Sequence, residues 1–242
     1  MLLTIEKMIM LKGVRFAALL LCMVLGLTNV AQAQKAANSA GGHKYVDLGL
    51  PSGTLWATCN IGASKPEDYG NYYAWGEIST KSDYAWNSYK YTNGTTWMDP
   101  KLTKYCNQSD CNGSSRFTDN LTELQSGDDP AASNWANGWL TPSKEQWDEL
   151  LANTTNKWTT KNGVKGCLFT SKKNGRTLFL PAAGRHEDSE FDRAGSNGTY
   201  WSRSLYTDCP IYAWYLGFAS DDCRIYCGDR NYGFSVRPVR QK

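Results

Sequence analysis

Residues 199–239 read TYWSRSLYTDCPIYAWYLGFASDDCRIYCGDRNYGFSVRPV. Three short aromatic runs, Tyr200-Trp201-Ser202, Tyr212 to Leu216 and Gly233 to Val236, are separated by Asp, Ser, Gly, Arg, Tyr and Cys, the pattern of strands joined by turns rich in side-chain chemistry. Tyr212, Trp214, Leu216 and Phe218 recur at period two and predict one large apolar face turned into a core. Asp208, Asp221, Asp222, Arg224 and Arg230 are then expected to face water. An aromatic frame carrying exposed Tyr, Asp and Arg has the composition of a recognition surface, because Tyr and Arg offer contact area and hydrogen bonds at small entropic cost. An ordinary antiparallel sheet with polar loops has the same composition.

Upstream, residues 1–33 read as a signal peptide. Lys12 and Arg15 precede an apolar run from Phe16 to Leu27, and Ala31-Gln32-Ala33 places small residues before a cut at Gln34. That run falls well short of the roughly 20 residues a membrane-spanning helix needs, so export is expected and a transmembrane span is not. Residues 34–43, rich in Ala, Asn, Ser and Gly, read as a flexible linker, and 44–242 as one domain. A formal charge of +3 on 242 residues, with no basic run, gives no reason to expect nucleic acid as a partner. The 10 Trp and 14 Tyr all fall after the leader, and such usage suits an irregular aromatic-packed domain that binds sugars or proteins.

Of the 8 cysteines, Cys22 lies in the leader, leaving an odd number in the mature part. Cys106 and Cys111, in an Asn/Ser/Asp loop, are the first disulfide candidates, followed by a pair within Cys209, Cys223 and Cys227. No Cys-x2-Cys pair exists, and His43 and His186 are remote from the cysteines in sequence, so no metal is expected, nor any cofactor.

Tyr45 to Leu48 and Leu55 to Asn60 predict two strands around a turn at Leu50-Pro51-Ser52-Gly53. From Lys65 to Tyr105 no period is sustained, and long loops pinned by Tyr72, Tyr73, Trp75, Trp86 and Tyr91 are expected. Asp128-Asp129-Pro130 either helps to hold a calcium ion or caps the Ala131-Ala132 turn. The one clear helix is Thr141 to Leu151, capped by Thr141 or Ser143, with Trp147, Leu150 and Leu151 as its buried stripe. Asn162-Gly163 and Asn174-Gly175 predict a three-stranded meander over Trp158 to Thr160, Gly166 to Ser171 and Thr177 to Leu180. Arg185 to Asn197 reads as a charged loop.

The segments Tyr45-Val46-Asp47-Leu48-Gly49-Leu50-Pro51-Ser52-Gly53-Thr54-Leu55-Trp56-Ala57-Thr58-Cys59-Asn60, Trp139-Leu140-Thr141-Pro142-Ser143, Leu180-Pro181-Ala182-Ala183-Gly184 and Phe234-Ser235-Val236-Arg237-Pro238-Val239 occur in this order over nearly all of the mature chain. With them the chain resembles the Fibrobacter succinogenes major paralogous domain family of exported bacterial proteins. The resemblance implies an α+β, C-type-lectin-like fold of the formylglycine-generating-enzyme subtype, with small antiparallel sheets, one clear helix and long irregular loops. It implies no established activity. Some relatives with this lectin-like fold are targets of diversity-generating retroelements, which randomise adenines in Asn codons and cannot produce Lys, Glu, Gln, Met or Trp. Lys, Glu, Gln and Met are scattered through residues 43 to 198 and absent from Thr199 to Val236, where the two Trp read as core.

The function expected is a non-catalytic binding module that recognises a protein or glycan ligand through its C-terminal loops. Its contact residues are expected among Arg203, Tyr206, Asp208, Ile211, Tyr212, Asp221, Arg224, Tyr226, Arg230 and Asn231. A structural or adhesive cell-surface subunit is the alternative. An enzyme reading rests on Cys223 and Cys227, since formylglycine-generating enzymes bind copper through two C-terminal cysteines; the spacing here is Cys-x3-Cys where that family has Cys-x4-Cys. No catalytic residue is assigned: no Gly-x-Ser-x-Gly elbow or His-Glu-x-x-His helix is present, and the acidic residues of 187–192 read as a solvated loop.

Overall fold

The computed structural model describes residues 38–94, 96, 98–108 and 117–242. In chain order its strands are β1 (Ser39–Ala40), β2 (His43–Asp47), β3 (Leu55–Ala57) and β4 (Tyr72–Tyr73). A 3-10 turn (Trp86–Ser88) and two helices follow, α1 (Pro130–Trp135) and α2 (Lys144–Asn153). Then come β5 (Thr154–Lys161), β6 (Val164–Ser171), β7 (Thr177–Pro181), β8 (Arg185–Glu187) and β9 (Glu190–Asp192). The chain finishes with β10 (Gly198–Leu205), β11 (Tyr212–Phe218), β12 (Cys223–Asp229), β13 (Phe234–Ser235) and β14 (Val239–Arg240). Small, mainly antiparallel sheets, one full helix and long loops make this an α+β fold.

The central sheet has strand order β12-β11-β10-β13-β4, with β10 and β13 parallel. It is covered on both faces. Tyr200, Leu216 and Phe218 enter a core shared with Trp147 and Leu150 of α2, with Cys167, Phe169, Leu178 and Leu180 of the meander, and with Trp56 and Val239. Trp201, Ala213 and Phe234 enter a second core built with Tyr73, Trp75, Tyr84, Trp86, Tyr89, Tyr91 and Tyr105. An antiparallel sheet often leaves one face to water and then alternates apolar with polar residues. Burial of both faces is why β10, GTYWSRSL, has only Arg203 short of full burial.

The period-two reading of β11 is therefore half right. Leu216 and Phe218 are buried, Tyr212 and Trp214 are half-exposed, and the opposite face, with Ala213 and Tyr215, also packs. The loops over this second face hold without regular secondary structure because their rings combine apolar bulk with a polar tip that finds a backbone carbonyl. Trp75 Nε1 donates to the Ser202 carbonyl at 2.8 Å, Trp201 Nε1 to Tyr73 at 2.8 Å, Tyr89 Oη to Trp75 at 2.8 Å and Tyr84 Oη to Tyr72 at 2.8 Å.

Helix α2 begins at a capping box. Ser143 Oγ accepts from Gln146 N, and Gln146 Oε1 accepts from Ser143 N at 2.9 Å, satisfying two orphan donors of the first turn. Thr141 is not the cap; its hydroxyl donates to Asp129 at 2.6 Å. Asp129 also accepts from Ala131 N and Ala132 N, so it caps α1, while Asp128 takes Lys104, Lys90 and the Tyr105 hydroxyl. Of the two roles open for this acidic pair, the cap is the one built.

The meander forms in the order β5-β6-β7. Asn162 and Gly163 both take positive φ (48° and 84°), the twisted two-residue turn that Asn-Gly favours, whereas the second loop runs from Ser171 to Arg176 with only Gly175 left-handed. Two expectations change. Residues 185–197 are not one loop, because β8 and β9 pair Arg185 with Asp192 and Glu187 with Glu190. The end of the expected linker is strand, since Ser39 pairs with Lys44 and the Ala40 carbonyl accepts from Trp139 Nε1 at 3.1 Å. The leader lies outside the described residues. Strand β14 pairs with β3, joining Val239 to Trp56 and closing the C-terminus against the first strands.

Candidate functional site

Strand β12 is an edge of the central sheet, and it faces solvent beside the turn that joins it to β11, closed by Ala219 N donating to the Asp222 carbonyl at 2.8 Å. Register sets Gly217 opposite Arg224, Tyr215 opposite Tyr226 and Ala213 opposite Gly228. The two glycines make room for rings: a Cβ at Gly217 would stand 2.8 Å from Tyr226 Cδ2, and one at Gly228 3.0 Å from Tyr215 Cε1. Over these bare positions Tyr215 and Tyr226 stack, with centroids 5.7 Å apart and planes 23° apart.

Two side chains, Asp222 and Arg224, fix the outer ring and complete a triad with it. Tyr226 Oη donates to Asp222 and accepts from Arg224 Nε at 2.6 Å, and the Arg224 guanidinium lies 4.8 Å from the Tyr226 centroid and 3.2 Å from Asp222. Burial and the bond to Asp222 push the Tyr226 phenol up, so it stays a neutral donor. Behind this triad, between β11–β12 and the β8–β9 hairpin, is a cavity of about 230 Å³ lined by Arg185, Arg193, Asn197, Thr199, Tyr215, Gly217, Asp222 and Tyr226. Arg193 pairs with Asp192 at 3.0 Å. Arg185 pairs with Glu187 and lies 5.3 Å over the Tyr232 ring, and its buried Nε has no hydrogen-bond partner. On the far side of Arg185, burial first and then the Glu187 charge push the Asp229 carboxyl up to about 6. The arrangement offers guanidinium donors, amide and hydroxyl groups and a flat aromatic wall.

The ten residues expected to make the contact do not form one patch. Asp221, exposed in the turn beside Asp222, joins the exposed Arg224 and the half-buried Tyr226 at this edge. Tyr206, Asp208 and Tyr212 sit at the opposite end of β11, roughly 20 Å along the strand, where Tyr206 packs edge-on to Trp214 at 4.8 Å. Arg203 is half-buried and acts as a tie: its Nε bonds Glu123 and its Nη1 reaches the Thr141 carbonyl at 3.3 Å.

Ile211, Arg230 and Asn231 are corrections, with 5%, 0% and 1% exposure. Arg230, expected in water, donates to Tyr89 Oη and to the carbonyls of Tyr105, Pro210 and Lys104, with Trp75 4.7 Å from its guanidinium. A guanidinium can be buried when carbonyls take its donors and rings take its faces. Asn231 Nδ2 is spent on the Tyr84 carbonyl. Arg185, Arg193, Tyr215 and Asp222 escaped the sequence reading as contact residues; Gly217 and Gly228, each cross-strand from the tyrosine-bearing stretch, were the signal that rings lie across this edge.

The cysteine expectations also change. Among the described residues no pair within Cys209, Cys223 and Cys227 is bonded, and Cys111, the expected partner of Cys106, lies outside those residues. Cys223 and Cys227 are four residues apart on one extended strand, so their Cα atoms are about 13 Å apart. Two sulfurs so placed do not fit one copper ion, whose thiolate ligands must converge.

Among the described residues no helix is long and apolar enough to cross a membrane. No protein-family model matches the chain, and neither a curated protein nor a solved structure does.

Proposed function

We propose that this chain is an exported, non-catalytic binding module of the Fibrobacter succinogenes major paralogous type, with a C-type-lectin-like fold, that holds a protein or glycan ligand at the β11–β12 edge. The observation that carries this reading is the preset triad of Asp222, Tyr226 and Arg224 at the mouth of an arginine-lined cavity. Side chains held before binding lose little entropy on contact, and Tyr and Arg give the most contact per ordered group. Lectin-like architecture is supported by the capping-box helix that follows Thr141-Pro142 and by long loops pinned through their rings. Export is supported by the charged, apolar and small-residue order of residues 12–33.

Programmed diversification, if it acts here, has room at Asp221, Asp222, Arg224 and Tyr226, whereas random residues at Ile211, Arg230 or Asn231 would disrupt the core. A near-copy of the codons for residues 199–239 beside a reverse-transcriptase gene would support it; its absence from the neighbouring DNA removes that part of the reading.

To test the site, the full chain is screened on glycan and protein arrays, and each ligand found is titrated against the Arg224→Ala/Tyr226→Ala double variant. A loss of tenfold or more is expected. Unchanged affinity, in a variant that unfolds like the parent, removes the β11–β12 edge as the site. Stable co-purification with surface or fimbrial subunits, with no free ligand bound, would favour an adhesive subunit instead.

A further inference from the structure

Strand β6 of the meander and the edge strand β12 of the central sheet bring two cysteines together. Cys167 is 2% exposed within the core under α2, and Cys223, half-buried, packs against the same cluster. Their cross-strand partners meet as well: Trp158 opposes Cys167, Phe218 opposes Cys223, and the Trp158 and Phe218 rings contact at 6.4 Å. The Cys223 thiol and the Cys167 sulfur are hydrogen-bond partners, which favours ionisation of Cys167 and keeps Cys223 protonated. These strands belong to different sheets, and no backbone ladder joins them.

We propose that Cys167 and Cys223 form a disulfide that staples the meander to the edge strand carrying the recognition face. The oxidant is a donor disulfide, either an oxidised dithiol protein or oxidised glutathione. Cys223, the more accessible sulfur, passes its proton across the shared hydrogen bond to the Cys167 thiolate and attacks the donor as a thiolate, forming a mixed disulfide and releasing one donor sulfur that takes up a proton from water. Cys167 then attacks the Cys223 sulfur and releases the second donor thiol. Two protein thiols are oxidised by two electrons in all, one S–S bond forms, and the donor disulfide becomes two thiols. The bridge would close a loop of more than fifty residues, and restricting so long a loop in the unfolded chain raises stability. It would also hold Arg224 and Tyr226, the next residues on β12, against the body of the domain. The inference does not depend on the proposed binding role.

The test uses the full chain, purified reduced, equilibrated with oxidised glutathione, alkylated, digested without reduction by trypsin and chymotrypsin, and mapped by mass spectrometry. The expected product joins the peptides of Cys167 and Cys223 at a mass two hydrogens below their sum. With it, the thermal midpoint should rise by roughly 10 °C, a gain lost in dithiothreitol and absent from Cys223→Ser. Recovery of both cysteines alkylated, of glutathione left on Cys223, or of either cysteine joined elsewhere would overturn the proposal. The mapping uses the unmutated protein, so a failure of Cys223→Ser to fold does not affect it.

Discussion

Arg224 and Arg230 stand six residues apart, carry the same charge and meet opposite fates. Arg224 lies along the outer face of β12, 68% of its side chain in solvent, against Tyr226 and Asp222. Arg230 has turned the corner into the loop core and is fully buried, holding three loop carbonyls and a phenol. Composition does not separate them, because the sorting depends on what lies above each position. Long loops pinned by Trp75, Tyr89 and Tyr105 cover the segment from Arg230 onward, while β12 is a sheet edge. A recognition face in this tail is therefore limited to the stretch before Asp229, and the stretch after it is scaffold.

The sharpest break in this comparison is Arg230→Ala. It leaves the carbonyls of Lys104, Tyr105 and Pro210 without their donor inside the core, and about 3–5 kcal/mol of stability should be lost, read as a lower urea midpoint. Arg230→Lys should recover only part of this, since an ammonium cannot span the same four acceptors. If Arg230→Ala unfolds at the parent midpoint, the division into scaffold and face is wrong.

Two carboxylates sharpen it through pH, with opposite signs. Burial and Glu187 raise Asp229 to about 6 in the folded state, against an unfolded value near 4. A raised carboxyl contributes stability that is complete below the unfolded value and is lost as pH rises through about 6, so the parent should weaken between pH 4 and 7 by roughly 1–2 kcal/mol. Asp229→Asn should flatten that window. Asp128 behaves the other way: burial would raise it, but hydrogen bonds from Lys104, Tyr105 and Lys90 prevail and hold it well below the usual carboxylate range. Its stabilisation is present above pH 4 and is lost as pH falls further, and Asp128→Asn should remove that acid limb. Urea midpoints from pH 2 to 8 for the three proteins check both signs.

On the open side, Gly217→Ala should push Tyr226 and Tyr215 off their stack, costing about 1 kcal/mol and weakening any ligand that Arg224→Ala weakens. The smallest effect on folding belongs to Arg224→Ala, within about 0.5 kcal/mol of the parent, because it is exposed and its ion pair with Asp222 is a surface one. A larger loss there would make Arg224 a structural residue and not a contact.

Legibility followed how local the determinants were. Helix α2 could be read because Ser143, Gln146, Trp147 and Leu150 carry its cap and stripe within a few residues. The Asn162-Gly163 turn and the three meander strands were read for the same reason, whereas Asn174-Gly175 marks a longer loop. The rings of Tyr73, Trp75 and Tyr91 were expected to pin loops and do so. The β8–β9 hairpin was missed because Asp188 and Ser189 do not announce a tight turn, and it is held partly by distant partners: His186 and Gly233 exchange backbone hydrogen bonds at 2.8 and 2.9 Å. In the candidate site, Tyr226, Arg224 and Asp221 were named from sequence, whereas Arg185 and Arg193 arrive from a hairpin more than twenty residues upstream.

By itself the sequence determined the local elements and the aromatic character of the tail, since caps, turns and two-residue alternation are set by neighbours along the chain. Tertiary structure alone decided that the central sheet is buried on both faces, that Arg230 is core while Arg224 is surface, and that Cys167 meets Cys223. Each of those outcomes depends on which distant segment excludes water from a given side chain, and water is excluded only once the whole chain has packed.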